Sequence, residues 1–365
     1  MNKKKRALIV VGGTGGHVIP GYNLAKHLIE KNYHVELVTD RRGHKYIEKN
    51  ASINISILPS TQFFSENIFK RIFSTILIFY SVFRSIFFLI FNRPTIIFGM
   101  GGYATFPICI AAKILHVQFI IYENNLIIGK TNKYLLPFAK KIFVSFKELE
   151  GVPESYQKKL IEIGNIIDKK IINFSKKKFS DINVSKMNIL ILGGSQAAEI
   201  FAEILPEIFQ DCLNNGIKLK IYQHCLPSQN ESLKMLYEKS NIEYKIFNFT
   251  NNLIQYFSKA NLAITRSGSS MLAELTNANI PFISVPLPSS ADDHQLKNAR
   301  FYQEKKLAFL IEEKDLKKKL LPLIKDIHTN NSILNKIMQN QSHYSDKNVY
   351  NNINEVLEKI FNEKN

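Results

Sequence analysis

The chain has 365 residues, 45% of them hydrophobic, with 48 lysines and arginines against 31 aspartates and glutamates, a formal charge of +17. This length and apolar content exclude a disordered chain and predict two folded domains. The charge favours an anionic partner, either a nucleotide, a nucleic acid or an acidic lipid surface, although such charge can equally be solvated surface. The three cysteines match no metal-ligand spacing and fit a reducing cytosol.

The first predicted elements are a strand over residues 7–11, a glycine turn over residues 12–17 and a helix that opens at Pro20. Backbone N–H groups converge at such a junction and the helix dipole favours negative charge, so the turn predicts a phosphate cradle. The layout recurs, with a strand over residues 188–192 and a second turn from Gly193. Two such units predict two α/β halves that face each other across a cleft.

Two other kinds of nucleotide-binding site, a dinucleotide site and a P-loop, are alternatives to this interpretation. Asp40 ends a predicted strand about 20 residues after the first turn, where an acidic residue would bind the ribose of a dinucleotide. The glycine spacing fails because Val18 stands at the last glycine position, so a nicotinamide enzyme stays a minor alternative. Residues 124–131 resemble a phosphate-binding P-loop, but Asn124 replaces its first glycine.

Residues 68–91 are the most apolar part of the chain and are long enough to span a bilayer. A span would place the two glycine-turn units on opposite sides of the membrane, so we expect none. Polar residues fall on one narrow stripe of the helix. The stripe holds Asn67, Lys70, Arg71, Ser74, Ser81, Ser85 and Asn92. Either the helix is buried beside the sheet, or it dips its apolar side into lipid with Lys70, Arg71 and Arg93 near anionic headgroups.

Further polar segments follow predicted strands in the first half. A strand over residues 95–98 leads into the turn 99–103 (GMGGY), and a strand over residues 119–122 leads into Glu123. The carboxyl ends of parallel strands gather at one edge of a sheet, where ligands bind. A lysine-rich polar stretch up to Lys186 then predicts a linker.

The second half again alternates strands, at 218–223, 244–249, 262–265 and 282–285, with helical patterns. In its densest polar cluster Gly268 turns the chain, and Ser269 or Ser270 is expected to cap a helix. That geometry offers N–H groups to a diphosphate and the Glu274 carboxylate to ribose hydroxyls. The alternative is that Glu274 is an exposed helix carboxylate. Asp292, Asp293 and His294 complete no metal site.

Five motifs together resemble the MurG family of N-acetylglucosaminyltransferases of peptidoglycan synthesis. They are residues 12–17 (GGTGGH), 99–103 (GMGGY), 193–198 (GGSQAA), 266–268 with Glu274, and 293–299, all collinear with the family pattern. The resemblance implies a GT-B fold, in which two Rossmann-like domains with parallel sheets face each other across a cleft. The expected domains are an N-terminal acceptor and membrane-side domain (1–165), a linker (166–186), a C-terminal UDP-GlcNAc-binding domain (187–347) and a helix (348–365) that can pack back on the first.

The family transfers GlcNAc from UDP-GlcNAc to the 4-hydroxyl of the MurNAc in lipid I, with inversion, and gives lipid II. The resemblance implies no cofactor and no bound metal. The implied partners are UDP-GlcNAc, lipid I and a membrane surface contacted through residues 68–91, with cell-wall synthesis proteins as further candidates and no nucleic acid. The implied location is peripheral, at the cytoplasmic face of the bacterial inner membrane.

The resemblance also assigns site residues. On the sugar and acceptor side they are Thr14, Gly15, Gly16 and Asn125. On the donor side they are Ser195 for the diphosphate, Ser269, Ser270, Met271, Leu272, Ala273 and Glu274 for the diphosphate and ribose, Thr250 for uracil, and Gln295 for the GlcNAc hydroxyls.

His17 is the leading candidate for the catalytic base, with Glu123 in reserve. An imidazole has an unperturbed pKa of about 6.5, which suits proton removal near neutral pH, whereas a carboxylate would need burial to raise its pKa. The alternative is a histidine that only caps the following helix or bonds the loop backbone.

The chain departs from the family pattern at several positions, including Ile166 and Ile167 in place of a proline and a valine. Tyr122 and Asn124 replace a histidine and a glutamine, Asp168 replaces an arginine expected near the donor, and Ala197 replaces a glycine. Three other function classes remain as alternatives. They are another GT-B enzyme (a UDP-GlcNAc epimerase or a lipid galactosyltransferase), a nicotinamide oxidoreductase, and a nucleic-acid-binding protein. The GMGGY turn and the apolar helix together favour a polyprenyl-linked acceptor.

Overall fold

The apolar runs of the sequence form the strands of two parallel sheets in a computed structural model of the chain. The structure describes residues 5–47, 53–58, 68–174, 186–194, 199–248, 250, 252–330 and 332–362. The chain divides into two compact units: Met1–Asp168 together with Lys347–Asn365, and Lys169–Asp346.

The first unit begins at β1 and contains seven strands within its described residues. Its elements in chain order are β1 (Arg6–Val10), α1 (Gly15–Glu30), β2 (His34–Thr39), β3 (Asn54–Ile57), α2 (Ile68–Asn92), β4 (Ile96–Gly99), α3 (Thr105–Ile114), β5 (Phe119–Glu123), α4 (Lys130–Leu135), β6 (Lys141–Val144) and β7 (Leu160–Glu162). The strand order is β3-β2-β1-β4-β5-β6-β7, and all pairs are parallel.

The second unit has six strands within its described residues. Its elements are α5 (Lys169–Ile172), β8 (Met187–Leu192), α6 (Glu199–Asn214), β9 (Leu219–His224), α7 (Asn230–Lys239), β10 (Glu243–Phe247), α8 (Ile254–Phe257), β11 (Leu262–Arg266), α9 (Ser269–Asn277), β12 (Phe282–Val285), α10 (His294–Glu304), β13 (Phe309–Leu310), α11 (Leu316–Thr329) and α12 (Ser332–His343). The order is β10-β9-β8-β11-β12-β13, again parallel throughout.

The strand order of each sheet reverses once, and the reversal fixes where ligands can bind. β1 pairs with both β2 and β4, and β8 pairs with both β9 and β11. Ligands of open parallel sheets bind at such switch points, beyond the carboxyl ends of the strands. In the first sheet the switch point is followed by the two glycine turns, after β1 and β4. In the second it is followed by residues 193–194 and 267–268, after β8 and β11.

The last helix, α13 (Val349–Asn362), belongs to the first unit. The Tyr350 hydroxyl donates a hydrogen bond of 2.6 Å to the Ile167 carbonyl, and Asn352 Nδ2 donates one of 3.1 Å to the Ile163 carbonyl. The His27 ring of α1 packs at a tilt against the Tyr350 ring, with ring centroids 4.5 Å apart. These contacts hold α13 against α1 and the segment that follows β7.

The structure confirms two α/β domains with parallel sheets and each predicted strand to within two residues. The predicted start of the first helix at Pro20 is wrong, because α1 begins at Gly15 and Pro20 lies inside it. Strands β3, β6, β7 and β13 were not predicted from the sequence. Of the predicted linker, residues 175–185 lie outside the described part of the chain, and residues 169–172 form α5.

Candidate active site

The first glycine turn, residues 12–17, packs directly against the second, residues 99–103. A Cβ atom on Gly102 would lie 2.5 Å from the Gly12 carbonyl oxygen, and one on Gly12 would lie 2.8 Å from Cβ of Ala104. Gly102 also has a φ of +80°, which residues with a side chain rarely adopt. This backbone-to-backbone contact requires glycine, and it joins the loops after β1 and β4 into one surface.

Asp40, at the end of β2, holds the first turn in place. The residue is 4% exposed, and its Oδ1 accepts hydrogen bonds from the N–H groups of Gly13 at 3.1 Å and Gly43 at 2.7 Å. Its Oδ2 pairs with Arg42 at 3.2 Å. The predicted phosphate cradle is therefore wrong at Gly13, because a carboxylate already accepts that N–H and would repel an anion. These contacts also occupy Asp40, so they disfavour the dinucleotide alternative.

His17 lies in the first turn of α1 and is half-buried. A Cβ atom on Gly101 would lie 2.8 Å from His17 Nδ1 and 2.9 Å from Cε1, so this edge of the ring packs on the Gly101 backbone. Gly101 has a φ of +92°. The second turn thus leaves room for the imidazole beside Thr14, Gly15 and the rest of the first turn.

Glu123, the reserve base, ends β5 and is 2% exposed. Its Oε1 accepts hydrogen bonds from the Asn125 N–H and Nδ2 at 3.2 and 3.0 Å. Its Oε2 accepts from the Gly129 N–H at 2.8 Å and Asn132 Nδ2 at 3.0 Å. Because both oxygens bind donors of the following loop and of α4, this geometry favours a structural role for Glu123 and leaves His17 as the better candidate base.

The diphosphate side of the second unit is only partly described. Residues 195–198, which include the predicted diphosphate ligand Ser195, lie outside the described part of the chain. The turn begins at Gly194, which has a φ of +74°. A Cβ atom there would lie 4.0 Å from Cβ of Arg266, so the turns after β8 and β11 are neighbours.

Helix α9 follows β11 and contains the predicted donor residues Ser269 to Glu274. The predicted serine cap is wrong, because the residue before the helix is Gly268 and no side chain caps the first turn. The alternative of an exposed Glu274 is also wrong, since the residue is 6% exposed. A buried carboxylate one turn after a helix N-terminus suits a ligand that carries both phosphate and hydroxyl groups.

Gln295, in α10, joins the loops that follow β11 and β12. Its Oε1 accepts hydrogen bonds from the Ser267 N–H at 3.2 Å and the Leu287 N–H at 3.0 Å. Asn298 Nδ2 donates to the Ser267 carbonyl at 3.2 Å, and the Ser267 and Ser284 hydroxyls lie 2.7 Å apart. With the Gln295 oxygen fixed in this way, its NH₂ group is the part suited to a sugar hydroxyl.

Arg266 has a role that the sequence motif did not predict. Its guanidinium donates to the carbonyls of Val285 at 3.4 Å and Pro286 at 3.2 Å, forms an ion pair with Glu313, and lies 5.0 Å from the Phe201 ring centroid. The side chain is only 9% exposed. Arg266 therefore ties the loop before α9 to the end of β12. The only sequence signal was an arginine at a strand end, which gives no indication of its partners.

The predicted uracil contact, Thr250, is half-buried in the loop after β10. Its hydroxyl accepts a hydrogen bond of 3.1 Å from the Asn252 N–H. The residues on either side of it lie outside the described chain. Asp292 and Asp293 have φ values of +52° and +53° and form the turn before α10. Among the described residues, no three His, Cys, Asp or Glu side chains are grouped to hold a metal ion.

Family models and curated relatives match nearly the whole chain. Residues 7–144 match the glycosyltransferase family 28 N-terminal domain, and residues 188–355 match the family 28 C-terminal domain. A protein of Pelagibacter ubique is 34% identical over 100% of both chains, and one of Rickettsia felis is 36% identical over 92% of this chain and 94% of its own. Both carry the name UDP-N-acetylglucosamine–N-acetylmuramyl-(pentapeptide) pyrophosphoryl-undecaprenol N-acetylglucosamine transferase. The chain belongs to the MurG family.

Solved structures share the fold of this MurG-family chain. The crystal structure of Acinetobacter baumannii MurG has a TM-score of 0.78 at 23% identity and covers 97% of this chain and 99% of its own. A co-structure of S. aureus MnaA with UDP has a TM-score of 0.65 at 15% identity, over 98% and 97% of the two chains. These matches, with the two parallel sheets, support the GT-B class.

Two departures from the MurG pattern are accommodated within the first unit. Asp168, at the position of the family arginine, forms a salt bridge of 2.7 Å with Lys26 of α1. The Tyr122 hydroxyl lies 2.8 Å from Ser145 Oγ and accepts a hydrogen bond of 3.1 Å from the Ile166 N–H. Both residues therefore stabilise the segment that leads out of the first unit.

Helix α2 of this MurG-family chain exposes its apolar side. Phe79, Phe83 and Phe91 are 72%, 60% and 79% exposed, whereas Ser81 and Ser85 of the polar stripe are 6% and 1% exposed. The two serine hydroxyls bond helix carbonyls four residues earlier. Asn67 and the side chains of Lys70 and Arg71 lie outside what the structure describes. By length and composition, Phe73–Asn92 is long and apolar enough to cross a membrane, and 22% of it is buried.

Proposed function

We propose that this chain transfers N-acetylglucosamine from UDP-GlcNAc to the 4-hydroxyl of the MurNAc in undecaprenyl-pyrophosphoryl-MurNAc-pentapeptide, lipid I. The product is lipid II of peptidoglycan synthesis. The full-length match to transferases that carry this activity in their names is the observation that supports it. The chain is accordingly an inverting hexosyltransferase.

The second unit supplies the donor site in this proposal. The first turn of α9 binds the diphosphate through backbone N–H groups and the helix dipole, with Ser195 as a further ligand. The buried Glu274 carboxylate accepts hydrogen bonds from the ribose hydroxyls, and the Gln295 amide donates to a GlcNAc hydroxyl. Thr250 lies at the uracil. The same groups stabilise the charge that develops on UDP as it leaves.

The first unit supplies the acceptor site and the base. Thr14, Gly15, Gly16 and Asn125 bind the acceptor and the sugar beside the paired glycine turns. The acceptor O4 forms a bond to the anomeric carbon while the bond from that carbon to the diphosphate oxygen breaks, so the configuration inverts. The proton of the hydroxyl passes to the His17 imidazole. UDP takes the electron pair of the broken bond.

The exposed side of α2 is the proposed membrane contact. Single exposed apolar residues are common on folded proteins, but the exposed phenylalanines of α2 form a contiguous row. Contiguous apolar patches of this kind mark lipid or protein contacts. The helix buries its serines and exposes its phenylalanines, which is the reverse of a helix that faces water. The protein thus lies peripherally at the cytoplasmic membrane face, where a lipid-linked acceptor is reached from the aqueous side.

The test is sugar transfer by the purified protein. UDP-[¹⁴C]GlcNAc is incubated with a short-chain lipid I analogue, and radiolabel is followed into the organic-extractable fraction. We expect label to move only when the acceptor is present and UDP to be released in equal amount. Acceptor-independent conversion of UDP-GlcNAc into its 2-epimer, without label in the lipid, would instead identify the epimerase alternative.

A further inference from the structure

Helix α1 contains a proline that leaves one of its carbonyls without the usual backbone donor four residues later. Inside an α-helix, each carbonyl accepts the N–H of the residue four positions later. Pro20 has no N–H, so the Gly16 carbonyl has no such partner. Asn124, from the loop after β5, takes that place, since its Nδ2 donates to the Gly16 carbonyl at 3.1 Å.

The amide that replaces the missing donor is held rigidly. Asn124 is 5% exposed and directly follows Glu123, whose carboxylate binds Asn125 and Gly129 of the same loop and Asn132 of α4. The Oδ1 atom of Asn124 accepts a hydrogen bond of 3.2 Å from Asn125 Nδ2. The hydrogen bond to Gly16 thus connects a fixed loop to the residue immediately before His17.

We propose that Asn124 is a positioning residue for sugar transfer. By donating to the Gly16 carbonyl it fixes the peptide between Gly16 and His17, and so holds the imidazole edge against Gly101. Gly16 is exposed, so water can satisfy the carbonyl when the amide is removed. Loss of the amide is therefore expected to change the position of the His17 imidazole more than the free energy of unfolding. This inference rests on the proposed function, in which His17 is the catalytic base.

The test is a double-mutant cycle of Asn124→Ala with Pro20→Ala, because alanine at position 20 restores an N–H to the Gly16 carbonyl. We expect Asn124→Ala alone to lower kcat about 10- to 100-fold, the scale of a small misplacement of a catalytic group. The KM for UDP-GlcNAc should stay within about twofold, because the donor groups lie on other elements. In the Pro20→Ala background the same substitution should cost less than about threefold, which makes the two changes non-additive.

Three further variants make the outcome decisive. Asn124→Gln keeps the amide donor and should recover most of kcat, whereas Asn124→Asp has the same shape without a donor and should resemble alanine. Asn340→Ala removes another asparagine that donates to a backbone carbonyl, at Lys306 in the second unit, and should leave kcat unchanged.

An equal loss of kcat in both backgrounds, or an Asn124→Asp enzyme within twofold of the parent, would overturn the inference. Absence of transfer in the unmodified protein would instead refute the proposed function.

Discussion

At the residue scale, the carboxylates of Asp40 and Glu123 near the glycine turns bind backbone N–H groups. Asp40 binds Gly13 and Gly43, and Glu123 binds the loop that follows it. These roles could not be predicted from sequence. An acidic residue at a strand end can bind a ribose, act as a base, or accept hydrogen bonds from the backbone of a neighbouring loop. Only the tertiary contacts distinguish the three.

Replacement of His17 by alanine tests the proposed base. We expect turnover to fall by roughly 10²–10⁴, the usual contribution of general-base catalysis. Binding of UDP, measured by calorimetry, should stay nearly unchanged, because its proposed ligands lie in the second unit. A fall in turnover of less than tenfold, or a parallel collapse of UDP binding, would make His17 a loop-shaping residue.

Replacement of Glu274 by alanine tests the donor site. The loss of hydrogen bonds to a charged group costs about 1.5–3 kcal/mol, so the KM for UDP-GlcNAc should rise about 10- to 100-fold. The KM for the lipid acceptor should change much less. Glu304→Ala, at an exposed position near the end of α10, is the matched control and should alter neither constant. An unchanged donor KM in the Glu274 variant would exclude the ribose assignment.

At the element scale, the longer apolar runs were predictable as strands, whereas the missed strands β3, β6, β7 and β13 have only two to four residues each. β3, β7 and β13 are short and half-buried, because an edge strand has a neighbour on one side only. The start of α1 was misplaced because proline favours a first helical turn, yet here the Gly16 carbonyl finds a donor outside the helix. Such compensation depends on a residue more than a hundred positions away and leaves no local signal.

The exposed side of α2 is tested by adding charge to it. We expect a Phe79→Asp, Phe83→Asp variant to bind anionic lipid vesicles at least tenfold more weakly, because burial of each phenylalanine contributes about 1.5–3 kcal/mol. High salt or carbonate should release most of the unmodified protein from membranes. Met235→Asp, which changes a side chain 63% exposed on α7, is the control and should bind normally. Resistance to carbonate, with one unit protected from protease, would instead establish a membrane span.

At the scale of the whole molecule, the first unit is completed by the end of the chain. α13 returns to α1 after the second unit, and burial raises the pKa of the Tyr350 phenol, which keeps it a hydrogen-bond donor. Its acceptor, the Ile167 carbonyl, is buried. Sequence predicted the helix from its periodicity, but the partners of α13 are set by the fold of the first unit.

Replacement of Tyr350 by phenylalanine tests this contact. The Ile167 carbonyl would lose its donor, and we expect the free energy of unfolding of the first unit to fall by about 1–3 kcal/mol in urea titrations. Tyr244→Phe removes an exposed hydroxyl that bonds Glu238 and should change stability by less than about 0.5 kcal/mol. Equal stability of the two variants would show that α13 contributes little through this hydrogen bond.

The central claim is inverting transfer to a single hydroxyl, and the structure of the product tests it most directly. The purified lipid-linked disaccharide, formed from α-linked UDP-GlcNAc in the presence of EDTA, is analysed by two-dimensional NMR. We predict a β-configured GlcNAc, shown by a large coupling of its anomeric proton, with a through-bond correlation from that proton to C4 of MurNAc. An α-anomer, linkage at another position, or formation of the product only after divalent metal is restored would contradict the account.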